Sequence, residues 1–212
     1  ERVLRRSVDA GSLPSCILWG PPGSGKTTLS RILAESTQSH FEEVSAVTSG
    51  VSDLRRIISE SQDRQGMFQQ ATVLFVDEIH RFNKAQQDVI LPHVEIGTFT
   101  LVGATTENPS FEVIAPLLSR CRVFKLEPLK SDDMAVLINK ALTDVERGLG
   151  SMQITLEPEA QDILIGMSNG DARIALNVLE ISAFAILEDR ERVVTKETIM
   201  DALQSSTPLY DK

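Results

Sequence analysis

Eight consecutive residues, Gly20-Pro21-Pro22-Gly23-Ser24-Gly25-Lys26-Thr27, constrain the fold of this chain more tightly than any other stretch. They match G-x-x-x-x-G-K-[ST] directly after Ser15-Cys16-Ile17-Leu18-Trp19, which reads as a buried strand. Thr28 to Glu35 follows and reads as a helix. Glycines in such a loop let successive backbone N–H groups curl around a phosphate without Cβ clashes, and the helix N-terminus adds a favourable dipole. On this reading Lys26 reaches the β- and γ-phosphates of a nucleotide, the Thr27 hydroxyl sits on Mg²⁺, and Thr28 closes the phosphate-binding stretch. An ordinary Gly/Pro turn does not require strand, glycines, lysine and threonine together. A dinucleotide fingerprint is excluded, because the last glycine of G-x-G-x-x-G would fall at Thr28.

A strand, loop and helix in that order open an alternating α/β fold, and the following residues continue the alternation. Phe41 to Val47 reads as a second strand, and Val51 to Gln62 carries Leu54, Ile57 and Ile58 at helical spacing. Thr72-Val73-Leu74-Phe75-Val76 is β-rich and uninterrupted, as a central parallel strand buried on both faces should be. Asn83 fits as the N-cap of a helix running towards Val94, and Thr98 to Ala104 and Arg122 to Leu126 complete the strands. The expected fold class is α/β, a parallel P-loop sheet sandwiched by helices.

After Leu126 the pattern changes. Pro128 and Leu129 make a break, and the remainder reads as helical. Ser131 is expected to cap one helix, and Pro158 sits in the first turn of a second that stops at Asn169-Gly170. A third runs from Asp171 towards Leu187, and Thr195 is expected to cap a fourth. This predicts two domains, an α/β core over residues 1–126 and a small all-α lid over 127–212.

The Thr72 to Val76 strand runs directly into Asp77-Glu78. A parallel strand delivers its C-terminal residues to the same sheet edge as the phosphate loop. Asp77 is therefore placed to hold Mg²⁺ through its water shell, and Glu78 to orient and polarise an attacking water, which points to hydrolysis. Two shorter patterns here mislead. Asp77-Glu78-Ile79-His80 has the D-E-x-H form of a helicase, but the 86 residues after Leu126 leave no room for a second motor domain, so His80 is read as a packing or sensing residue. Asn83-Lys84 resembles the start of a guanine-reading N-K-x-D, but Gln86 stands where the Asp belongs, which favours adenine.

A P-loop core followed by a small helical lid resembles an AAA+ ATPase. Within that superfamily DEIHRFNKAQQD, LPHVE, GATTENPSFE and LLSRCRV, all between Asp77 and Val123, are similar to the RarA/MgsA family. SAVTSGV at 45–51 and NGDARIALNVLE at 169–180 fit the same family, whose eukaryotic member is the Werner-helicase-interacting protein. The resemblance implies Mg²⁺-dependent ATP hydrolysis stimulated by DNA, in replication-fork maintenance, recombination and repair. It implies a first polar sensor at Thr106, with Thr105 as the alternative, and an arginine finger at Arg120 that reaches a neighbouring subunit's ATP, with Arg122 as the alternative. Arg173, in Gly170-Asp171-Ala172-Arg173, matches the lid arginine that touches the γ-phosphate. Partners implied are further copies of the chain, a tetramer made through a C-terminal domain outside these residues, DNA ends, gaps or forks, and single-strand-binding protein. The family also carries an upstream segment that helps enclose adenine, and Val3, Leu4 and Val8 resemble the remnant of a helix on that side. The implied location is the cytoplasm with the nucleoid in a bacterium, or the nucleus in a eukaryote. A branch-migration or clamp-loader type subunit and a non-hydrolysing nucleotide-bound scaffold are the competing readings.

Composition sets outer bounds. An apolar fraction of 42% excludes wholesale disorder, no apolar run approaches a membrane span, and no leader opens the chain. Cys16 and Cys121 have neither the number nor the spacing for a disulfide framework or zinc site, and read as apolar thiols. The net charge of −9 divides unevenly, with −1 on residues 1–126 and −8 on 127–212. The near-neutral core carries Arg55, Arg56, Arg64, Arg81 and Lys84 in expected surface positions, read as solvated charges rather than a DNA track. This balance excludes a DNA-coating protein but not an assembly that meets DNA through a small basic face.

Overall fold

The computed structural model describes residues 2–9, 11–187 and 191–206. The backbone forms two compact units. One holds the chain through Pro21 together with Gly25–Leu126, and the other holds Pro22–Ser24 together with the chain from Glu127 onward.

The first unit begins with helix α1 (Arg2–Asp9), on which Leu4 is buried; the side chains of Val3 and Val8 lie outside the described residues. Five strands follow: β1 (Cys16–Trp19), β2 (His40–Ser45), β3 (Thr72–Asp77), β4 (Thr100–Thr105) and β5 (Arg122–Lys125). They form one parallel sheet in the order β2-β3-β4-β1-β5. Parallel neighbours need crossovers, here carried by α2 (Lys26–Ser36), α3 (Val51–Phe68), α4 (Lys84–Ile96) and the one-turn helices α5 (Pro109–Glu112) and α6 (Ala115–Leu118).

Side chains alternate across a strand, so each uninterrupted apolar run supplies both faces. Val73 and Phe75 pack with Cys16, Leu18 and Val102 against Ala34 of α2. Leu74 and Val76 face the other way, with Ile17 and Leu101, onto Leu54 and Ile57 of α3 and Ile90 of α4. The edge strand β5 is mostly exposed and carries Arg122 and Lys125, charges that discourage strand addition. Helix α3 continues beyond Gln62 to Phe68, where the apolar periodicity has given out and Met67 and Phe68 are exposed.

Register levels the strand ends. Trp19 pairs with Thr105, Ser45 with Asp77 and Val76 with Gly103. Gly20, Asp77-Glu78 and Thr106 therefore emerge at one edge of the sheet. The 3-10 turn Ile79–Arg81 is pressed against β4, with Ile79 fully buried. A Cβ at Gly103 would lie 2.8 Å from Ile79 Cδ1 and 3.2 Å from its Cγ2. Gly103→Ala should therefore destabilise the fold by about 1–3 kcal/mol, the usual cost of overpacking. Denaturant unfolding measures this, and an unchanged midpoint would mean that Ile79 gives way at no cost.

The second unit contains α7 (Ser131–Thr143), α8 (Pro158–Ser168), α9 (Ala172–Ala185) and α10 (Lys196–Ser206) around Met134, Ile138, Leu164, Leu179 and Ile199. Pro158 opens α8, which ends at Asn169 and Gly170, both at positive φ. The Asp171 Oδ1 accepts from the Arg173 and Ile174 amides at 2.8 and 3.2 Å, capping α9, and Thr195 Oγ1 accepts from the Thr198 amide at 3.4 Å. Two details depart from expectation. Ser131 is the first helical residue of α7 rather than its cap, since Lys130 occupies the cap position without a side-chain bond. The unit also contains a two-residue parallel pair, β6 (Thr155–Leu156) with β7 (Val193–Val194).

Among the described residues no helix is long and apolar enough to cross a membrane, and no cluster of three or more His, Cys, Asp or Glu could hold a metal alone. Burial, with a smaller contribution from nearby Cys121, pushes the Cys16 thiol up to about 12; burial alone raises Cys121 to about 11. Both remain protonated and unreactive at neutral pH.

Candidate active site

The phosphate loop is shaped by its glycines. Gly23 and Gly25 adopt φ of 66° and 83°, a region that residues with a Cβ enter at a cost, and Gly25 is the N-cap of α2 with no side chain capping the helix. Gly20 has no room for a side chain, because a Cβ there would lie 2.4 Å from the Leu126 carbonyl oxygen. The Gly20 amide donates to the Thr105 carbonyl at 3.1 Å, tying the loop's start to the end of β4. The Lys26 ammonium folds back onto the loop and donates to the Gly20 and Pro21 carbonyls, each at 2.8 Å, with only 9% of the residue exposed. Pro22 and Thr28 are exposed, Ser24 is buried, and Thr27 is half-buried on the first turn of α2.

Asp77 ends β3 half-buried, and the chain turns at Glu78 through a left-handed conformation, φ 54° and ψ 47°. A non-glycine residue held there is strained, and such strain concentrates where a side chain must be aimed. Glu78 Oε2 lies 3.1 Å from His80 Nδ1, and His80 Nε2 lies 3.4 Å from Glu107 Oε1. The same Nδ1 shares a hydrogen bond with Thr105 Oγ1 at 3.0 Å. Thr105 Oγ1 also accepts from the Glu107 amide at 3.0 Å and donates to the Glu107 carbonyl at 3.2 Å. Thr105 is therefore fully buried and committed, whereas Thr106 is exposed just beyond the strand end.

Neighbouring residues that invited other readings serve the scaffold. Asn83 and Gln86 form a reciprocal capping box on α4, with amide-to-side-chain distances of 3.0 and 2.8 Å. Buried Gln87 donates to the Phe82 and Glu112 carbonyls at 3.0 Å each and accepts from the Ile114 amide at 2.9 Å, fastening the segment after β4. Arg56 pairs with Glu60 and Arg64 bonds the Thr72 hydroxyl, so two of the core's basic groups have local partners.

The two candidate fingers lie elsewhere in the first unit. Arg120 follows α6, pairs with Glu95 at 2.5 Å and donates to the Pro116 carbonyl at 2.7 Å. Arg122 opens β5 and pairs in register with Cys16, the first residue of β1, whereas the phosphate loop follows Trp19, its last. The four residues of β1, roughly 13 Å, thus separate the backbone of Arg122 from the chain's own loop, and Arg120 precedes it by two residues. Arg173 belongs to the second unit, where it is exposed at the start of α9 and helps line a cleft with Lys140, Asp144, Arg147 and Glu180.

The donor set suits a nucleotide with Mg²⁺. Thr27 and Asp77 provide one hydroxyl and one carboxylate, and Mg²⁺ characteristically takes one or two such protein oxygens alongside phosphate oxygens and water. A positively charged lysine within a glycine loop at an uncapped helix start complements the phosphates. Sheet order, loop and acidic strand end together define a P-loop nucleoside triphosphatase fold.

The chain belongs to the AAA family. The model of the ATPase family associated with various cellular activities (AAA) matches residues 16–129, and that of the AAA C-terminal domain matches 150–212. The chain is 46% identical to replication-associated recombination protein A of Coxiella burnetii, over 100% of this chain and 48% of that protein. It is 47% identical to the protein of that name from Haemophilus influenzae, over 100% and 47%, and 40% identical to the ATPase WRNIP1 of Dictyostelium discoideum, over 100% and 26%. The chain spans about half the length, or less, of these curated relatives. Among solved structures it is similar to the RuvB Holliday junction branch migration motor of Thermotoga maritima, with TM-score 0.76, 27% identity, and coverage of 95% of this chain and 65% of that one.

Proposed function

We propose that this protein hydrolyses ATP with Mg²⁺ and acts on DNA in replication-associated recombination and repair. The observation that carries the reading is the convergence of Gly20–Thr28, Asp77, Glu78 and Thr106 at the C-terminal edge of one parallel sheet. Gly20, Pro21, Pro22, Gly23, Ser24 and Gly25 form the cradle, Lys26 binds the β- and γ-phosphates, and Thr27 and Asp77 hold the metal. Bound there, Mg²⁺ would neutralise charge on the phosphate oxygens. Glu78 orients the attacking water. Thr106, whose neighbour Thr105 is already committed to His80 and Glu107, serves as the polar sensor. Arg173, in the lid domain taken as 127–212 and distinct from the core at 1–126, is assigned the reading of the γ-phosphate. Arg120 serves the ATP of another copy, a role supported by its place two residues before Arg122, which pairs with Cys16 at the start of β1. Self-assembly as a tetramer, contact with single-strand-binding protein, and residence with the nucleoid or in the nucleus rest on likeness to the relatives.

The likeness to the branch migration motor favours a second reading, action on four-way junctions. Steady-state ATPase assays of the intact protein with gapped, forked or junction DNA separate the two. Stimulation strongest with ends, gaps or forks supports the first reading, strongest with junctions the second, and none with any DNA counts against both. For the trans finger, mixing Arg120→Ala with Lys26→Ala protein should restore activity, because a shared interface would pair an intact loop with an intact arginine. Mixtures no more active than their parents would remove Arg120 from that role.

A further inference from the structure

His80 sits two residues beyond Glu78 on the turn that Ile79 anchors beneath Gly103, and only 6% of its side chain is exposed. Its ring is engaged by side chains alone: Glu78 and Thr105 at Nδ1, Glu107 at Nε2. The hydrogen bond of Nδ1 goes to Thr105 Oγ1 at 3.0 Å, and Glu78 Oε2 lies beside the same nitrogen at 3.1 Å. One Glu78 oxygen, Oε2, is thereby fixed relative to the end of β4, and Oε1 is left to accept from a water.

We infer that His80 is a positioning residue for the Glu78 carboxylate, holding it beside the end of β4 through its bond to Thr105. The inference rests on the proposed role of Glu78 and adds the element that aims it. A carboxylate on a strained turn has several rotamers, and only a held one keeps its water in line with the γ-phosphate. Because His80 acts through Glu78, its loss should slow the chemical step and leave nucleotide binding alone.

The test measures kcat, KM and nucleotide affinity of the intact protein with His80→Ala, His80→Asn, His80→Gln, Glu78→Gln and the Glu78→Gln/His80→Ala double variant. His80→Ala should lower kcat about tenfold or more, with KM and affinity within about twofold of wild type. His80→Asn, whose amide nitrogen takes the place of Nδ1, should recover most of the rate. His80→Gln reaches towards Glu107 but not Glu78, and should behave like His80→Ala. The double variant should be no slower than Glu78→Gln. Wild-type kcat in His80→Ala beside a slow Glu78→Gln would overturn the inference while leaving Glu78 in place. Wild-type turnover in Glu78→Gln would instead remove the underlying reading, and the inference with it. Should His80→Ala fail to bind nucleotide, the Asn and Gln pair decides: equal losses in both overturn the inference.

Discussion

Glu78→Gln should bind ATP with nearly wild-type affinity and turn it over a hundredfold or more slowly, roughly the loss seen when one aligned polar group is removed from a reacting centre. The substitution keeps size and hydrogen-bonding reach but removes the charge that polarises a water. Asp77 is untouched, so the metal and the phosphates keep their ligands. Nothing in the turn argues for a folding defect, because the strain at Glu78 lies in its backbone and glutamine enters the left-handed region no less readily. Equilibrium binding of a fluorescent ATP analogue beside single-turnover hydrolysis checks both halves. Near-normal turnover would remove Glu78 from the role of water activator.

Lys26→Ala should lose the complementary effect, binding itself, with affinity for ATP falling about a hundredfold or more as a charged contact to two phosphates disappears. The structure adds a second cost. The ammonium also bonds the Gly20 and Pro21 carbonyls, so its removal loosens the loop. Charge-assisted bonds of this kind contribute about 1.5–3 kcal/mol each at most, discounted here because the carbonyls can turn to water. Titration with ATP and a thermal melt without it separate the two costs. Affinity within tenfold of wild type would show that the loop's backbone alone carries the phosphates.

Much of the catalytic edge was legible in the chain because it depends on short-range pattern. Thr72 to Val76 is short, β-rich and uninterrupted, which favours a two-faced strand, and whatever follows such a strand in a parallel sheet arrives beside the loop that follows β1. Gly20 to Thr27 is legible for the same reason, since strand, glycines and helix start lie within a few residues. What stayed hidden depends on distance along the chain. His80 meets Thr105 and Glu107 only after β4 is laid beside β3, so D-E-x-H marks it as a packing or sensing residue without naming its partners. The β6–β7 pair joins two dipeptides far apart in sequence, too short for alternation to show. Ser131 illustrates the usual uncertainty at a helix start, where a cap and a first-turn residue differ by one position.

The level strand ends and the position of Arg120 have a consequence of direction. A sheet whose phosphate loop opens at one edge, and whose proposed finger Arg120 lies just before the start of β5 at the other, has a front and a back. When the back of one copy serves the front of the next, the contact joins unlike surfaces, and such heterologous contacts generate rings or helical arrays according to the rotation between copies. With Arg120 as the trans finger we propose, each copy would receive an arginine from one neighbour and lend its own to another, and information about bound nucleotide would pass along the assembly in a single sense.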